Sequence, residues 1–220
     1  MKSIRTSTTR IKLDSADKLS SNHFRAFMLK HYPDSNIAKL SEKSVNRKVY
    51  IPLVQYKIID GTPFIFAMED GVDALKEIVP DLSELYLGHK KYKVKEIIEK
   101  DFEVEVGIAA KRRKYEFETP WLALSEEDYT KFKYLYSEER IAALSKMLVR
   151  NILGFARSFD IEIASRIKVK HELSEIQSFK LGTSTSGFVG RFEINFHIPE
   201  HLGIGNLSDR GFGSITPKRQ

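Results

Sequence analysis

The hydrophobic and polar positions in the first half of the chain follow two periods in turn. Residues 4–13 alternate between two faces and end on Ile11 and Leu13, a period of two that predicts a half-buried strand. Next, Ser20 or Ser21 can begin a helix, and its spacing places Phe24, Phe27 and Met28 on one face, with His31 near its end. A strand followed by a helix therefore opens the chain.

The alternation then returns on both sides of a turn signal. Segments 48–59 and 63–68 read as two strands, and Asp60-Gly61 between them favours a hairpin. Segment 70–87 has helical spacing, bent or split at Pro80. Segments 90–98 and 101–108 alternate again. The order strand, helix, strand, strand, helix, strand is the ferredoxin-like pattern.

The second half of the chain repeats part of this order. A strand over 114–124 precedes a long helix over 137–159, in which one face carries Ile141, Leu144, Met147, Leu148, Asn151, Ile152 and Phe155. Segments 161–173, 176–182 and 187–198 then predict strands. We therefore expect an α+β protein of two tandem ferredoxin-like folds, with antiparallel sheets and helices on one face. The predicted domains are residues 1–110 and residues 111–220.

Composition narrows the range of functions. The 220 residues are 41% hydrophobic and 30% charged, as expected for a packed fold. Their apolar runs are far shorter than a membrane span, which predicts a cytoplasmic protein without a membrane partner. The chain contains no cysteine, so thiol nucleophiles and cysteine-ligated zinc are excluded. The net charge of +6 favours a polyanionic partner, although each basic cluster could also be a solvated strand face.

A glycine-rich segment, residues 199–215, lies close to the C-terminus. It is not a P-loop or a dinucleotide fingerprint, because Gly205 is followed by Asn206 and Leu207 and no helix can follow the last glycine. Its bare backbone and Arg210 could contact a phosphate. A turn that packs to close the domain explains the same glycines equally well.

The side chains available for chemistry point to acid–base catalysis. The six histidines have neither HExxH nor HxH spacing, and no compact carboxylate cluster accompanies them, so we expect no metal site and no cofactor. Histidine, tyrosine and lysine are the groups needed to cleave RNA through its own 2′-hydroxyl. One group takes the hydroxyl proton, another protonates the leaving 5′-oxygen, and a cation stabilises the phosphorane.

Several blocks of the sequence resemble the RAMP superfamily of CRISPR-associated proteins, in particular the endoribonucleases that cut CRISPR repeat RNA. The blocks occur in the family's order and cover nearly the whole chain. They are FRAFM (24–28), YIPLVQYKIIDGTPFIF (50–66), FETPWLALSEEDY (117–129), LVRNILGFA (148–156) and GFVGRFEINFHIPEHLGIGNLSDRGFGSI (187–215).

The resemblance implies two RAMP-type folds that bind CRISPR repeat RNA, or precursor crRNA, and cut it to leave a 2′,3′-cyclic phosphate. It implies that Tyr50 assists cleavage and that Lys57 can meet a phosphate, unless Lys57 is an ordinary strand-edge lysine. The loop residues expected to support RNA binding are Gly203, Gly205, Asn206, Ser208, Arg210, Gly211 and Gly213. CRISPR effector-complex proteins and a second copy of the chain are further possible partners.

The sequence departs from this family at one place. Where the subgroup carries Leu-His-x-His, this chain has Leu40, Ser41, Glu42 and Lys43. Lys43 could stabilise the phosphorane or act as the acid, and His31, whose ordinary pKa of about 6.5 suits proton transfer, could replace a missing histidine. The alternative, that His31 merely ends its helix, is the favoured interpretation.

Three hypotheses about function follow from the sequence, and the third belongs to a different class of protein. The leading hypothesis is a metal-independent repeat-RNA endoribonuclease in which Tyr50, His31 and Lys43 are catalytic. The alternative is a weak or inactive RAMP protein that binds repeat RNA or serves as an effector-complex subunit. A ferredoxin-like metabolite-binding protein is the third hypothesis.

Overall fold

The computed structural model describes residues 1–15, 18–42, 50–180 and 183–218. Its helices and strands lie within these ranges. In chain order they are β1 (Lys2–Leu13), α1 (Ser21–His31), α2 (Ile37–Leu40), β2 (Val54–Ile59), β3 (Thr62–Met68), α3 (Asp70–Ile78), β4 (Glu84–Leu87), β5 (Lys90–Phe117), α4 (Glu126–Phe132), α5 (Ser137–Ser158), β6 (Val169–Lys180), β7 (Thr183–His197) and β8 (Ile215–Pro217). Short 3-10 turns occupy Val79–Asp81 and Ser208–Arg210.

The first half of the chain forms an antiparallel sheet in the order β2-β3-β1-β5. The predicted hairpin joins β2 to β3, where Asp60 and Gly61 both have positive φ, of 50° and 71°. Helices α1 and α3 pack against these strands and bury Phe24, Met28 and Leu75. The predicted ferredoxin-like order of this half is confirmed.

The second half of the chain repeats the sheet order as β8-β5-β7-β6, again antiparallel. Helix α5 connects the strand shared with the first half to β6 and buries Leu144, Leu148, Ile152 and Phe155. Where a second helix would connect β7 to β8, this unit has the glycine-rich segment and its single 3-10 turn. The tandem ferredoxin-like fold is therefore present, and the second unit lacks one helix.

Strand β5 belongs to both halves. It runs without interruption for 28 residues, pairs with β1 from Val94 to Val106, and pairs with β7 from Gly107 onward. Its register with β7 shifts between Ile108 and Arg113. The predicted domain boundary between residues 110 and 111 lies inside this irregularity, within a continuous strand.

Two elements differ from the sequence prediction. Residues 84–87 form strand β4, not the end of a helix, because Leu85 and Leu87 alternate with exposed Tyr86 and the segment pairs with Lys90–Lys93. Residues 161–168 were expected to begin a strand, but they have no ladder. The side-chain amide of Asn195 instead bonds the backbone of Arg166 and Lys168.

Helix α5 has three faces that differ in their surroundings. The side chain of Ile141, predicted to be buried, is 56% exposed, although its backbone carbonyl lies 3.0 Å from His171 Nε2 of β6. Met147 and Asn151, also predicted on the buried face, are half-buried and line a groove. No helix among the described residues has the length and apolarity needed to cross a membrane.

Candidate functional site

Tyr50 lies in a groove between α5 and the glycine-rich segment. Its side chain is 42% exposed. Its backbone N–H donates to Ser158 Oγ at 2.8 Å, and its Cβ would be only 3.6 Å from a Cβ added to Gly154. An added Cβ at that distance would be in ordinary van der Waals contact, so Tyr50 lies directly against the helix at Gly154. The groove, called the Tyr50 groove below, has a volume of about 410 Å³.

The charge of the Tyr50 groove comes chiefly from two arginines. Arg150 and Arg157 stand seven residues apart on α5, so their side chains project from nearly the same direction two turns apart. Neither guanidinium forms an ion pair with an acidic residue in the described ranges. Asp128 is the acidic residue lining the groove, and its Oδ2 accepts from Ser125 Oγ at 2.8 Å. The groove therefore offers two free guanidinium groups beside an exposed phenol.

The glycine-rich segment contributes Gly205 and Asn206 to the same groove. Gly205 has a φ of +87°, and a Cβ there would lie 2.6 Å from Trp121 Nε1. That indole N–H donates to Asn151 Oδ1 at 3.0 Å, which ties the loop side of the groove to α5. Asn206 is exposed, with its Nδ2 donating to the carbonyl of Leu124 at 3.2 Å. Asn206 is thus the accessible polar side chain that the segment contributes to the Tyr50 groove.

Of the other glycines of the segment, Gly203 and Gly211 pack against the first half of the chain and Gly213 packs against the segment itself. The side-chain amide of Gln55 accepts from Gly203 N–H at 2.7 Å and donates to the Gly203 carbonyl at 3.1 Å. A Cβ on Gly211 would lie 3.0 Å from Ser21, and one on Gly213 only 2.0 Å from the Ile204 carbonyl oxygen. These three glycines are buried. Their bare backbone allows close packing, and their RNA contacts stay predictions.

Arg210 and Ser208 are also engaged with the protein. Ser208 is buried, and Arg210 Nε lies 3.6 Å from Asp209 Oδ2. The same carboxylate pairs with Arg25 Nε of α1 at 2.8 Å, and these two side chains are only 13% and 15% exposed. The Arg210 carbonyl accepts from Ser21 Oγ at 2.6 Å. The 3-10 turn is therefore anchored to the start of α1.

Lys57 lies on β2 beneath the glycine-rich segment and is fully buried. Its Nζ has no hydrogen-bond partner among the described residues and would lie 3.0 Å from a Cβ on Gly203. Burial lowers the pKa of Lys57 to about 7, although the negative charge of Glu118 opposes that shift. A phosphate could reach this ammonium only if the segment moved, so the predicted contact is not available in this conformation.

Glu118 connects this lysine to His201 and Ser214. Its Oε2 accepts from Ser214 Oγ at 2.7 Å and lies 3.0 Å from His201 Nδ1. Burial alone would raise the pKa of Glu118, but the interactions with His201, Ser214 and Lys57 outweigh burial and lower it. The His201 ring also packs on Phe64 at 4.7 Å between centroids. This network holds the start of the segment against β3.

Of the other predicted catalytic residues, His31 lies apart from Tyr50. His31 stacks on Phe27 at 5.0 Å in an exposed aromatic group and does not line the Tyr50 groove. It stands at the opposite end of α1 from Ser21, about 15 Å along the axis. Ser41 is buried and its Oγ donates to the Ile37 carbonyl. Lys43 lies outside the described residues.

Sequence reasoning missed Arg150 and Arg157. The signal was present in the LVRNILGFA block, where a helical arginine precedes a small residue four positions later, at Gly154. A glycine on an exposed helix face indicates that another segment approaches there. Among the described residues no group of three histidine, aspartate or glutamate side chains could hold a metal ion.

Comparisons with known proteins match both halves. The Cas6b N-terminal domain matches residues 2–103 and the Cas6b C-terminal domain matches residues 107–218. An uncharacterized protein of Methanocaldococcus jannaschii is 36% identical over 142 residues, which cover 63% of this chain and 95% of that protein.

Solved structures agree with these matches. A crystal structure of Cas6b superposes with a TM-score of 0.87 at 27% identity, covering 99% of this chain and 100% of that one. A CRISPR RNA processing endoribonuclease, also a Cas6b, has a TM-score of 0.76 at 27% identity over 97% of this chain and 100% of that one. A Cas6 crRNA endonuclease of type IV, Csf5, shares the fold at 12% identity, with a TM-score of 0.61 over 98% of this chain and 100% of that one. With both of its halves matched in order, this chain belongs to the Cas6b family.

Proposed function

We propose that this chain is an endoribonuclease that cuts CRISPR precursor RNA within the repeat, with the Tyr50 groove as the cleavage site. The observation that carries the proposal is the placement of an exposed phenol, two unpaired guanidinium groups and Asn206 around one groove. Membership of the Cas6b family, in which a solved member is a CRISPR RNA processing endoribonuclease, supports the same substrate.

The proposed reaction needs neither a metal ion nor a cofactor. The 2′-oxygen of one nucleotide attacks the adjacent phosphorus, the bond to the 5′-oxygen of the next nucleotide breaks, and a 2′,3′-cyclic phosphate and a 5′-hydroxyl result. One group removes the 2′-hydroxyl proton and another gives a proton to the leaving oxygen. Tyr50 would exchange one of these protons, while Arg150 and Arg157 would stabilise the negative phosphorane.

The two arginines suit this role because a guanidinium is permanently charged and matches phosphate oxygens with two parallel donors. Neither is neutralised by a described carboxylate, so both charges remain available to RNA. Lys43 and His31 stay candidates for proton transfer or charge stabilisation. The stack of His31 on Phe27, at the far end of α1, favours a structural role for it.

A second candidate function is RNA binding with weak cleavage or none. The groove's lining includes no imidazole, and Ser41, which stands at a position of the family's histidines, is buried and hydrogen-bonded within its own helix. An RNA-binding subunit of an effector complex would need the guanidinium groups but not an acid–base pair.

Cleavage of labelled cognate repeat RNA in EDTA separates the two functions. We expect cleavage with a cyclic phosphate end, and at least tenfold slower cleavage for Tyr50→Phe, because the phenol proton is lost while the ring remains. Tyr86→Phe is the matched control, since Tyr86 is a similarly exposed tyrosine, at 50%, on β4. Tight repeat binding without any product would select the second function. Absence of both binding and cleavage would refute both.

The guanidinium groups are tested by binding at several salt concentrations. Arg150→Ala and Arg157→Ala should each weaken repeat binding and reduce the slope of log affinity against log salt by about 0.7, the value for one lost phosphate contact on a single strand. Lys146→Ala removes a lysine of α5 that does not line the Tyr50 groove and should leave the slope unchanged. An unchanged slope in both arginine variants would remove the groove from the RNA-binding surface.

A further inference from the structure

Helix α5 has a third face, outside the Tyr50 groove, whose apolar residues pack only partly against the core. This face borders a groove of about 750 Å³ whose opposite wall is the segment leading into β6. Its α5 positions are Ala142, Ser145, Lys146, Val149 and Leu153. At 100° per residue these positions point about a third of a turn away from Arg150, Asn151 and Gly154. We call it the α5 side groove.

The floor of the α5 side groove is aliphatic. Val149 and Leu153 from the helix face Ile163, Ile167 and Val169 from the facing wall. Four of these five are only half-buried, so part of this apolar surface contacts solvent. The lining contains no aromatic side chain. Since nucleic-acid surfaces commonly stack bases on aromatic rings, this floor suits a protein segment better than RNA.

The charged side chains at the rim of the α5 side groove are all basic. Lys146, Arg166 and Lys168 line it, and its lining includes no acidic residue. None of the three forms an ion pair with an acidic residue in the described ranges. The neighbouring surface differs, because there Lys114 pairs with Glu193 and Arg191 pairs with Glu116. These three cations thus lie at the edge of the aliphatic floor.

The groove has the dimensions of a short helix. From Ala142 to Leu153 the stripe spans twelve residues, with a rise of about 16 Å, which is three helical turns. Its spacing of three or four residues is the ridge spacing that packs against another helix. Apolar anchors on one side and acidic residues beside them would complement the floor and the rim together.

We propose that the α5 side groove binds an amphipathic helix of a partner protein, with aliphatic residues on one face and acidic residues flanking them. The site is separate from the Tyr50 groove, so the inference does not depend on RNA cleavage. Val149 and Leu153 are its apolar contacts, and Lys146 and Lys168 select the charge of the partner.

Fluorescence polarisation on the full chain tests this with two labelled peptides, the acidic EELLEELLEELLEE and its charge-reversed counterpart KKLLKKLLKKLLKK. We expect saturable binding of the acidic peptide and at least tenfold weaker binding of the basic one. The exposed pair Lys146→Glu and Lys168→Glu should reverse this preference, while Lys95→Glu, on β5, should not change it. Val149→Asp should abolish binding of the acidic peptide, with unfolding curves showing that the variant is folded.

Several results would overturn the proposal. Equal binding of both peptides, or binding that the charge reversal leaves unchanged, would show that the groove does not select an acidic helix. Weaker repeat-RNA binding on Lys146→Glu and Lys168→Glu, with displacement of the peptide by RNA, would assign the groove to RNA. Self-association of the chain that Val149→Asp abolishes would assign it to a second copy.

Discussion

Replacing Lys57 by methionine should make the protein more stable near neutral pH and remove part of its dependence on pH. Lys57 is fully buried, has no hydrogen-bond partner among the described residues, and has a pKa lowered to about 7. In the unfolded chain its pKa returns to the ordinary value of 10.5. Between these two values the unfolded chain binds the proton more strongly than the folded protein does, so the free energy of unfolding rises with pH.

The magnitude follows from the difference between the two pKa values. One pKa unit corresponds to about 1.4 kcal/mol, so the charged lysine costs the fold about 5 kcal/mol below pH 7. The cost reaches its full value only below pH 7. It falls as the pH rises through the window from about 7 to 10.5 and is absent above it. Methionine has a similar length and no charge, so Lys57→Met should gain most of this energy at pH 6.5 and little at pH 10.

Urea unfolding at several pH values between 6.5 and 9.5 measures this, with the fluorescence of Trp121 as the signal. Trp121 is the single tryptophan and is fully buried. The matched control is Lys95→Met, an exposed lysine of β5, which should follow the parent profile. Parallel profiles for Lys57→Met and the parent chain, or lower stability of Lys57→Met at pH 6.5, would refute an unpartnered buried ammonium.

Three further substitutions test how the glycine-rich segment is held. Gly213→Ala should destabilise the fold by about 3 kcal/mol. The control Gly61→Ala has a similar φ of +71° but no atom within 4 Å of the added carbon, so it should be destabilised only by backbone strain, about 1 kcal/mol. Thermal melting compares the two variants. Arg25→Met should lower the free energy of unfolding in urea by about 3 kcal/mol, because the largely buried carboxylate of Asp209 keeps only the more distant Arg210 as a partner. Adding Asp209→Asn to this variant should recover part of the loss. Asn151→Leu should red-shift or broaden the tryptophan emission and cost about 1–2 kcal/mol, since the indole N–H loses its acceptor; unchanged emission and stability would contradict that hydrogen bond.

Local patterns predicted the fold of this protein well. The alternation of β1, the spacing of Phe24, Phe27 and Met28, and the Asp60-Gly61 turn are each read from a few neighbouring residues, and the structure has all three. Errors arose where long-range pairing decides the conformation. Hydrophobic and polar residues alternate over 161–168 as in a strand, but the Asn195 side chain bonds the backbone at the end of this segment in place of a strand ladder.

The site was less predictable because its members come from distant parts of the chain. Tyr50 was singled out through the family resemblance, but the helix face that meets it can be known only once α5 is positioned. Lys57 illustrates the same limit. A lysine in an alternating edge strand is expected at the surface, and its burial depends on a segment about 145 residues later in the chain.

The continuity of β5 constrains how the protein can respond to a bound strand of RNA. Because one hydrogen-bonded strand serves as a structural member of both ferredoxin-like units, a rotation of one unit against the other would have to break backbone pairs with β1 or β7. An enzyme of two lobes joined by a flexible linker can open and close around its substrate, but here one continuous strand, β5, joins the two units. The movements that accommodate RNA must then come from side chains and from the segments that flank β5. For the same reason, the two units should unfold together in one cooperative transition.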